Sequence, residues 1–244
     1  MSEYEVSTYG ERIADVYDDW HESLGNEEQI VEVLAELAGS GPALELGIGT
    51  GRVALPLAER GVEVHGVDAS PAMVGRLRAK PGGDRIPVTM GDFREVPPGP
   101  FALVYVVFNT FFGLLTQEDQ VRCFESVAAA LRPGGVFVLE CFVPDVSRFD
   151  RGQRVHGEQA EPDQVRFSVA VHDPTTQRVR SSHVQIREDG IRLYPVQIRY
   201  AFVSELDLMA RVAGLGLRSR WSAWDRGQFT AASGAHVSVY ERPS

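Results

Sequence analysis

The chain has 244 residues, 43% of them hydrophobic, which is enough apolar content to bury one substantial core. A formal charge of −10 and a pI near 5.1 argue against a nucleic-acid partner, since gripping a phosphate backbone takes a basic surface. No apolar run reaches membrane-spanning length and the acidic N-terminus lacks a signal-peptide pattern, so the expectation is a soluble, cytoplasmic protein with no membrane partner. Two cysteines, Cys123 and Cys141, are too few for a disulfide framework; both lie in apolar runs and read as buried thiols.

Near the start, Ile13, Val16, Tyr17 and Trp20 recur at three and four, which predicts one amphipathic helix within residues 3–25. A second helix over 27–37, with Ile30, Val31, Leu34 and Leu37 apolar, stops at Gly39. The run Ala43, Leu44, Leu46 then enters Glu45-Leu46-Gly47-Ile48-Gly49-Thr50-Gly51, and a helical stretch over 52–60 follows at once. Strand, glycine turn and helix in that order bring backbone and unpaired helix amides close to a ligand. The next strand, 62–67, ends on Asp68, about 20 residues beyond the turn, where an acid accepts hydrogen bonds from ribose hydroxyls. A dinucleotide fingerprint wants glycine at its first, third and sixth positions. Counted from Gly47 the sixth is Arg52, and the third glycine falls early at Gly51, so a pyrophosphate is not the natural ligand.

Ser70-Pro71 starts a helix with a capping residue and a proline at its first position. After a short strand at 88–90, residues 101–108 are almost continuously apolar, the pattern of a parallel strand buried on both faces. That strand ends in Phe108-Asn109-Thr110-Phe111-Phe112-Gly113, where open parallel sheets place ligand chemistry. A helix over 117–131 and a strand over 136–142 come next. Residues 145–164 are polar and read as an ordered loop or partial lid. Strand-like segments at 164–173, 179–187 and 191–202, with turns between them, predict an antiparallel sheet inserted after the fifth strand. His172, His183, Arg192 and Arg199 lie on it, and for each a surface or structural role outweighs a catalytic one. His183 and Arg199 are the two that alternation directs toward a cleft. A helix over 204–213, capped by Ser204, and a hairpin of 217–223 with 236–241 complete an α/β doubly wound mixed sheet of seven strands, the last antiparallel.

Glu45-x-Gly47-x-Gly49-x-Gly51 resembles the first motif of class I S-adenosylmethionine-dependent methyltransferases. Further matches follow in family order and spacing: Asp68 with Ala69-Ser70-Pro71-Ala72-Met73, then Gly91-Asp92-Phe93, the strand 101–109, and Leu131-Arg132-Pro133-Gly134-Gly135. They cover residues 40–142. The resemblance implies a Rossmann-like fold and S-adenosylmethionine as cofactor. It assigns Glu45, Gly47, Gly49, Gly51, Arg52 and Ala69 to the donor site, with the turn passing under the methionine part, and Asp68 to the ribose. Met73, Asp92, Phe93 and Phe108 complete the donor site, Met73 and Asp92 at the adenine. In relatives an N-terminal helix with tyrosines closes over the site; Tyr17 fits that place, with Tyr9 on roughly the same side, to bind the methionine carboxylate or orient an acceptor amine. The whole chain then reads as one domain, with a helical lid over 1–40, the donor-binding core over 41–142, the β insert as substrate lid over 143–203, and a closing helix and hairpin over 204–244.

A sulfonium donor needs little covalent help, only an acceptor lone pair held in line behind the methyl at about 3 Å. Asn109 is placed to accept a hydrogen bond from an amine or hydroxyl, and Phe111 or Phe112 to wall the transfer path, one of the two being ordinary core. Neither the loop after the fourth strand nor its flanks offer a strong base; tyrosines, His183 and Arg199 are the remaining catalytic candidates. That favours an amine over a phenol or alcohol, which benefits from a general base. It agrees with the resemblance to antibiotic-sugar and other secondary-metabolite N-methyltransferases. An O-methyltransferase, a protein that binds the donor without turnover and, more remotely, a nicotinamide oxidoreductase stay open as alternatives. No metal is called for. Edge strands of the insert allow a homo-oligomer without requiring one.

Overall fold

The computed structural model describes residues 4–21 and 26–244. Helices α1 (Thr8–Ile13), α2 (Tyr17–His21) and α3 (Glu27–Ala38) precede β1 (Ala43–Leu46), α4 (Ala54–Glu59), β2 (Val64–Asp68), α5 (Pro71–Arg78) and β3 (Val88–Met90). Strand β4 (Phe101–Val106), helix α6 (Gln117–Ala130) and strand β5 (Leu131–Phe142) follow. Four long strands come next, β6 (Gln153–Glu161), β7 (Gln164–Asp173), β8 (Arg178–Arg187) and β9 (Gly190–Arg199). Helix α7 (Val203–Val212) and strands β10 (Gly216–Trp221) and β11 (Ala235–Glu241) end the chain.

The main sheet runs β10-β11-β5-β4-β1-β2-β3. From β3 to β5 every pairing is parallel, and β11 enters antiparallel between β5 and β10. Period-two alternation splits the core into two layers. Val104, Val106, Phe137 and Leu139 pack toward α6 and α7, while Leu103, Tyr105, Val136 and Val138 pack toward α3, α4 and α5. This two-sided burial is why β4 carries an apolar residue at every position. The strand order reverses between β1 and β4, so the turns leaving those two strands open onto a common crevice.

Four sequence expectations change. The single N-terminal helix is two short ones, broken where the Val16 amide donates to the Ile13 carbonyl instead of continuing the ladder. The two halves are tied to different anchors: Glu11 accepts from Ser70 and the Ala72 amide, Asp18 from Thr50. The polar stretch assigned to a loop contains β6, so the inserted sheet is a four-stranded meander, β6-β7-β8-β9. Polar residues on both of its faces and a register shift between Gly157 and Gln159 conceal the alternation. Ser204 is not a cap, because α7 starts at Val203 with Phe202 before it. Glu205, in the first turn, is drawn into hydrogen bonds with Arg199 and Gln177. Finally, β5 begins at Leu131, pairing with Phe101 ahead of the residues expected to start it.

Candidate active site

The glycine turn is folded back on β2: the amides of Gly47 and Ile48 both donate to the Val67 carbonyl, at 2.8 and 3.0 Å. Gly47 and Gly49 have φ of +71° and +56°, a region L side chains rarely adopt. A Cβ on Gly47 would meet the Thr110 methyl at 2.5 Å, and one on Gly49 would meet Met73 Cε at 3.2 Å. Only bare backbone fits between these neighbours. Gly51, also at positive φ, packs against Leu77, where a Cβ would stand 2.3 Å from Cδ1.

Three ionisable side chains surround the turn. Asp68, at the end of β2, accepts from the Gly49 amide at 2.7 Å and the Ser70 amide at 2.8 Å. Burial nevertheless raises its pKa. Glu45 is fully buried beneath the turn and accepts from the Tyr105 hydroxyl at 3.0 Å. Desolvation pushes its pKa up to about 8, with Asp68 adding to the shift. Arg52 stacks its guanidinium over the Phe108 ring at 3.8 Å and donates from Nη1 to the His21 carbonyl at 2.9 Å. Its Nε and Nη2 are buried without a hydrogen-bond partner among the described residues, Glu27 lying 3.5 Å from Nε but out of alignment. A buried cation with unused donors beside a glycine cradle is a seat for an anionic group.

The loop after β4 is strained: Phe108 and Asn109 both take positive φ, +55° and +64°. Glu140 on β5 holds it there. One carboxylate oxygen accepts from the Phe108 amide at 2.9 Å, the other from Trp224 Nε1 at 2.9 Å, and the Glu140 carbonyl accepts from the Asn109 amide. A sequence-based reading overlooks Glu140, although one acid inside the otherwise apolar strand 136–142 is the signal that finds it.

From the N-terminal side, Asp18 accepts from the Thr50 hydroxyl at 2.6 Å and pairs with Lys80 at 2.8 Å, so α2 is latched to the glycine turn itself. Tyr17 lies 4.4 Å from the His21 ring, and its burial raises its pKa to about 12. Tyr9 joins Ile13, Met73 and Tyr194 in a small apolar cluster, and its hydroxyl is likewise held neutral by burial.

Beside this crevice a cavity of about 240 Å³ lies between residues 142–149 and the inner face of the inserted sheet. Phe142, Phe149 and Tyr200 give it apolar walls, and Ser168, Ser181 and His183 give it polar ones.

The structure therefore gathers Tyr9, Tyr17, Glu45, Gly47, Gly49, Gly51, Arg52, Asp68, Ala69, Met73 and Phe108 around the glycine turn. His183 stands at the cavity. Asp92 accepts from the Arg94 amide and pairs with Arg94, while Phe93 is buried in the core under that edge. Asn109 is exposed, and its side-chain oxygen accepts from the Phe142 amide at 2.6 Å with a second lone pair unused. Two expectations are not met by the geometry. Phe112 presents no surface to an acceptor: it is fully buried with Phe111 and packs edge-on against Phe142, which is the ring that reaches the cavity. Arg199 is enclosed by Gln120, Gln177 and Glu205, tying β9 to α6 and α7 instead of facing a cleft. Among the described residues, no group of three side chains is arranged to hold a metal, and no helix is long and apolar enough to cross a membrane.

The profile of the family described as "Methyltransferase domain" matches residues 43–135. Cypemycin N-terminal methyltransferase of Streptomyces sp is 30% identical over 203 residues, 82% of this chain and 82% of that one. The dTDP-4-amino-2,3,4,6-tetradeoxy-D-glucose N,N-dimethyltransferase of Saccharopolyspora spinosa is 26% identical over 88% of this chain and 89% of its own. Among solved structures, the CcbJ methyltransferase from Streptomyces caelestis is 40% identical, covers 99% of this chain and 100% of its own, and superposes with a TM-score of 0.92. The fold is shared by CalS10 from Micromonospora echinaspora, an amino pentose methyltransferase solved with S-adenosylmethionine bound, at 21% identity over 93% of this chain and 96% of its own and a TM-score of 0.70.

Proposed function

Because this chain belongs to the S-adenosylmethionine-dependent methyltransferases, we propose that it methylates an amine nitrogen of a small-molecule acceptor, a secondary metabolite by class. The observation that carries the acceptor reading is that three of the relatives named above are, by their own names, an N-terminal methyltransferase, an amino-sugar N,N-dimethyltransferase and an amino pentose methyltransferase, and match along most of their length.

The site supports the donor half of this reading residue by residue. When bound, the donor supplies a methyl group on a positively charged sulfur that leaves readily. Asp68, still with lone pairs free after two backbone bonds, holds the ribose hydroxyls. The turn Gly47–Gly51 lets backbone lie against the methionine part, and the unused donors of Arg52 take its carboxylate. Met73, Phe93 and Asp92 lie along the adenine side. Tyr17, on the latched helix, covers the site with a neutral hydroxyl. Water is kept from the acceptor by the apolar walls Phe142, Phe149 and Tyr200, which also hold it for in-line approach.

The test begins with calorimetric titration of S-adenosylmethionine, its demethylated product and NAD. Binding of the first two alone is expected. A panel of primary amines, secondary amines and phenols is then incubated with donor and read by mass spectrometry for the gain of one CH2. Methylation of amines supports the proposal, and turnover confined to phenols overturns the nitrogen assignment. NAD binding in place of the donor would remove its foundation.

A further inference from the structure

We propose that His183 and Glu158 form a proton-accepting dyad for the acceptor, built by a bulge in the inserted sheet. The inference rests on reading the cavity between residues 142–149 and the inserted sheet as the acceptor site.

Strand β6 pairs with β7 so that Gly157 faces Phe167 and Gln159 faces Arg166, leaving Glu158 as an extra residue. A bulge of this kind releases a residue from the ladder and re-aims its side chain. Glu158 uses that freedom to reach over β7 to β8, where its Oε1 stands 2.7 Å from His183 Nδ1. Its other oxygen lies 3.1 Å from Arg166 Nε, and Arg166 in turn stacks on Trp20 at 4.2 Å. A carboxylate only accepts, so the proton between the two belongs to Nδ1 and the lone pair of the ring is on Nε2. Nε2 has no hydrogen-bond partner among the described residues, and His183 lines the cavity. The ring is also braced from the lid side. Trp20 of α2 meets it edge-on at 6.0 Å and meets Tyr194 at 4.7 Å. The dyad thus stands between the cavity and the helix that carries Tyr17.

The chemistry balances simply. An ammonium has no lone pair, so it must lose a proton before it can attack. His183 Nε2 takes that proton and the broken N–H bond leaves its electron pair on nitrogen. That pair forms the new N–C bond as the methyl–sulfur bond breaks and its electrons pass to sulfur. The imidazolium then releases its proton to water. A hydroxyl acceptor would deliver its O–H proton to the same nitrogen. His183 is the catalytic residue in this scheme, and Glu158 is a positioning residue that sets the tautomer. The titratable and charged groups around His183 among the described residues are Glu158 on β6, Arg166 on β7, His21 on α2 and Tyr194 on β9, with Asp145, Arg148, Arg154 and Tyr200 lining the same cavity.

The first readout needs no acceptor: 15N NMR of the imidazoles in the donor-free protein. An Nδ1–H tautomer at His183, lost in Glu158→Ala and kept in Glu158→Gln, whose amide oxygen still accepts, is expected. An Nε2–H tautomer in the wild type overturns the proposal. The second uses S-adenosylmethionine with the best acceptor from the amine and phenol panel. His183→Asn should lower kcat about 10²-fold or more at neutral pH, leave the donor Kd unchanged, and recover activity as pH nears the acceptor's own pKa. Turnover within about threefold of wild type, with the same pH profile, would falsify the dyad and leave the methyltransferase reading intact. Dependence on His183 with phenols as the only substrates would keep the dyad and overturn the nitrogen assignment.

Discussion

Asp68 and Glu45 are two carboxylates near one glycine turn with different surroundings. Asp68 takes two backbone amides at the end of β2, whereas Glu45 has the Tyr105 hydroxyl in an apolar bed. Replacing Asp68 by Ala is expected to weaken donor binding by about 1.5–3 kcal/mol, the usual worth of a hydrogen bond to a charged group. Calorimetry checks it, and an affinity within twofold of wild type would move the ribose elsewhere. Glu45 makes a stability prediction. Its folded pKa of about 8 stands above the ordinary 4.5. Between those values the folded protein keeps a proton that the unfolded chain has released, so stability falls as pH rises through this window. Donor-free protein should therefore melt at progressively lower temperature from pH 5 to 8, and Glu45→Gln, which keeps an oxygen for Tyr105, should flatten the trend. Parallel melting curves for the two proteins would show that Glu45 stays ionised in the fold.

At the scale of elements, the N-terminal helices are held by a few polar contacts. Helix α2 has five residues and no fully buried one, too short to persist without its tertiary ties. Asp18 supplies the tie to Thr50 in the glycine turn. Asp18→Ala is expected to raise hydrogen exchange over residues 17–21 and to speed donor release, with the melting temperature of the sheet unchanged. Exchange identical to wild type would mean that the remaining ties, Trp20 packed on Tyr194 and Arg52 bonded to the His21 carbonyl, hold the helix without Asp18. The main-sheet elements were readable from sequence because each carries its own period: two in β2, continuous apolarity in β4, three-and-four in α3. Strand β6 was not, since its polar faces and bulge serve the cavity and His183 instead of a core of their own. The break between α1 and α2 was equally hidden; its first half is anchored by residues some 60 positions away, Ser70 and Ala72, that bind Glu11.

For the molecule as a whole, the inserted sheet has two unlike faces. The inner one lines the cavity. The outer one exposes Val155, Val169 and Val171 together with Ile186, Ile191 and Leu193, which share a face by register. A contiguous exposed apolar patch of large area is a mark of an interaction surface. Self-association through this face is the expected outcome, with Ile191→Asp shifting the protein toward monomer in sedimentation velocity runs. A wild-type monomer across micromolar concentrations would show that the face is tolerated bare.

What the sequence by itself determined is the local geometry of the glycine turn and the sheet: glycines where the turn takes positive φ, an acid after the second strand, and apolar periods that define a doubly wound sheet. These are properties of short segments and need no knowledge of distant contacts. Only the tertiary structure decided which side chains are free to act. Phe112 and Arg199 look functional in sequence yet are closed off by packing and hydrogen bonds, while Glu140 and Glu158 look ordinary and are brought to the strained loop and to His183. The physical reason is that exposure and hydrogen-bond partners are set by residues distant in the chain, through strand register and helix docking, and no local pattern encodes them.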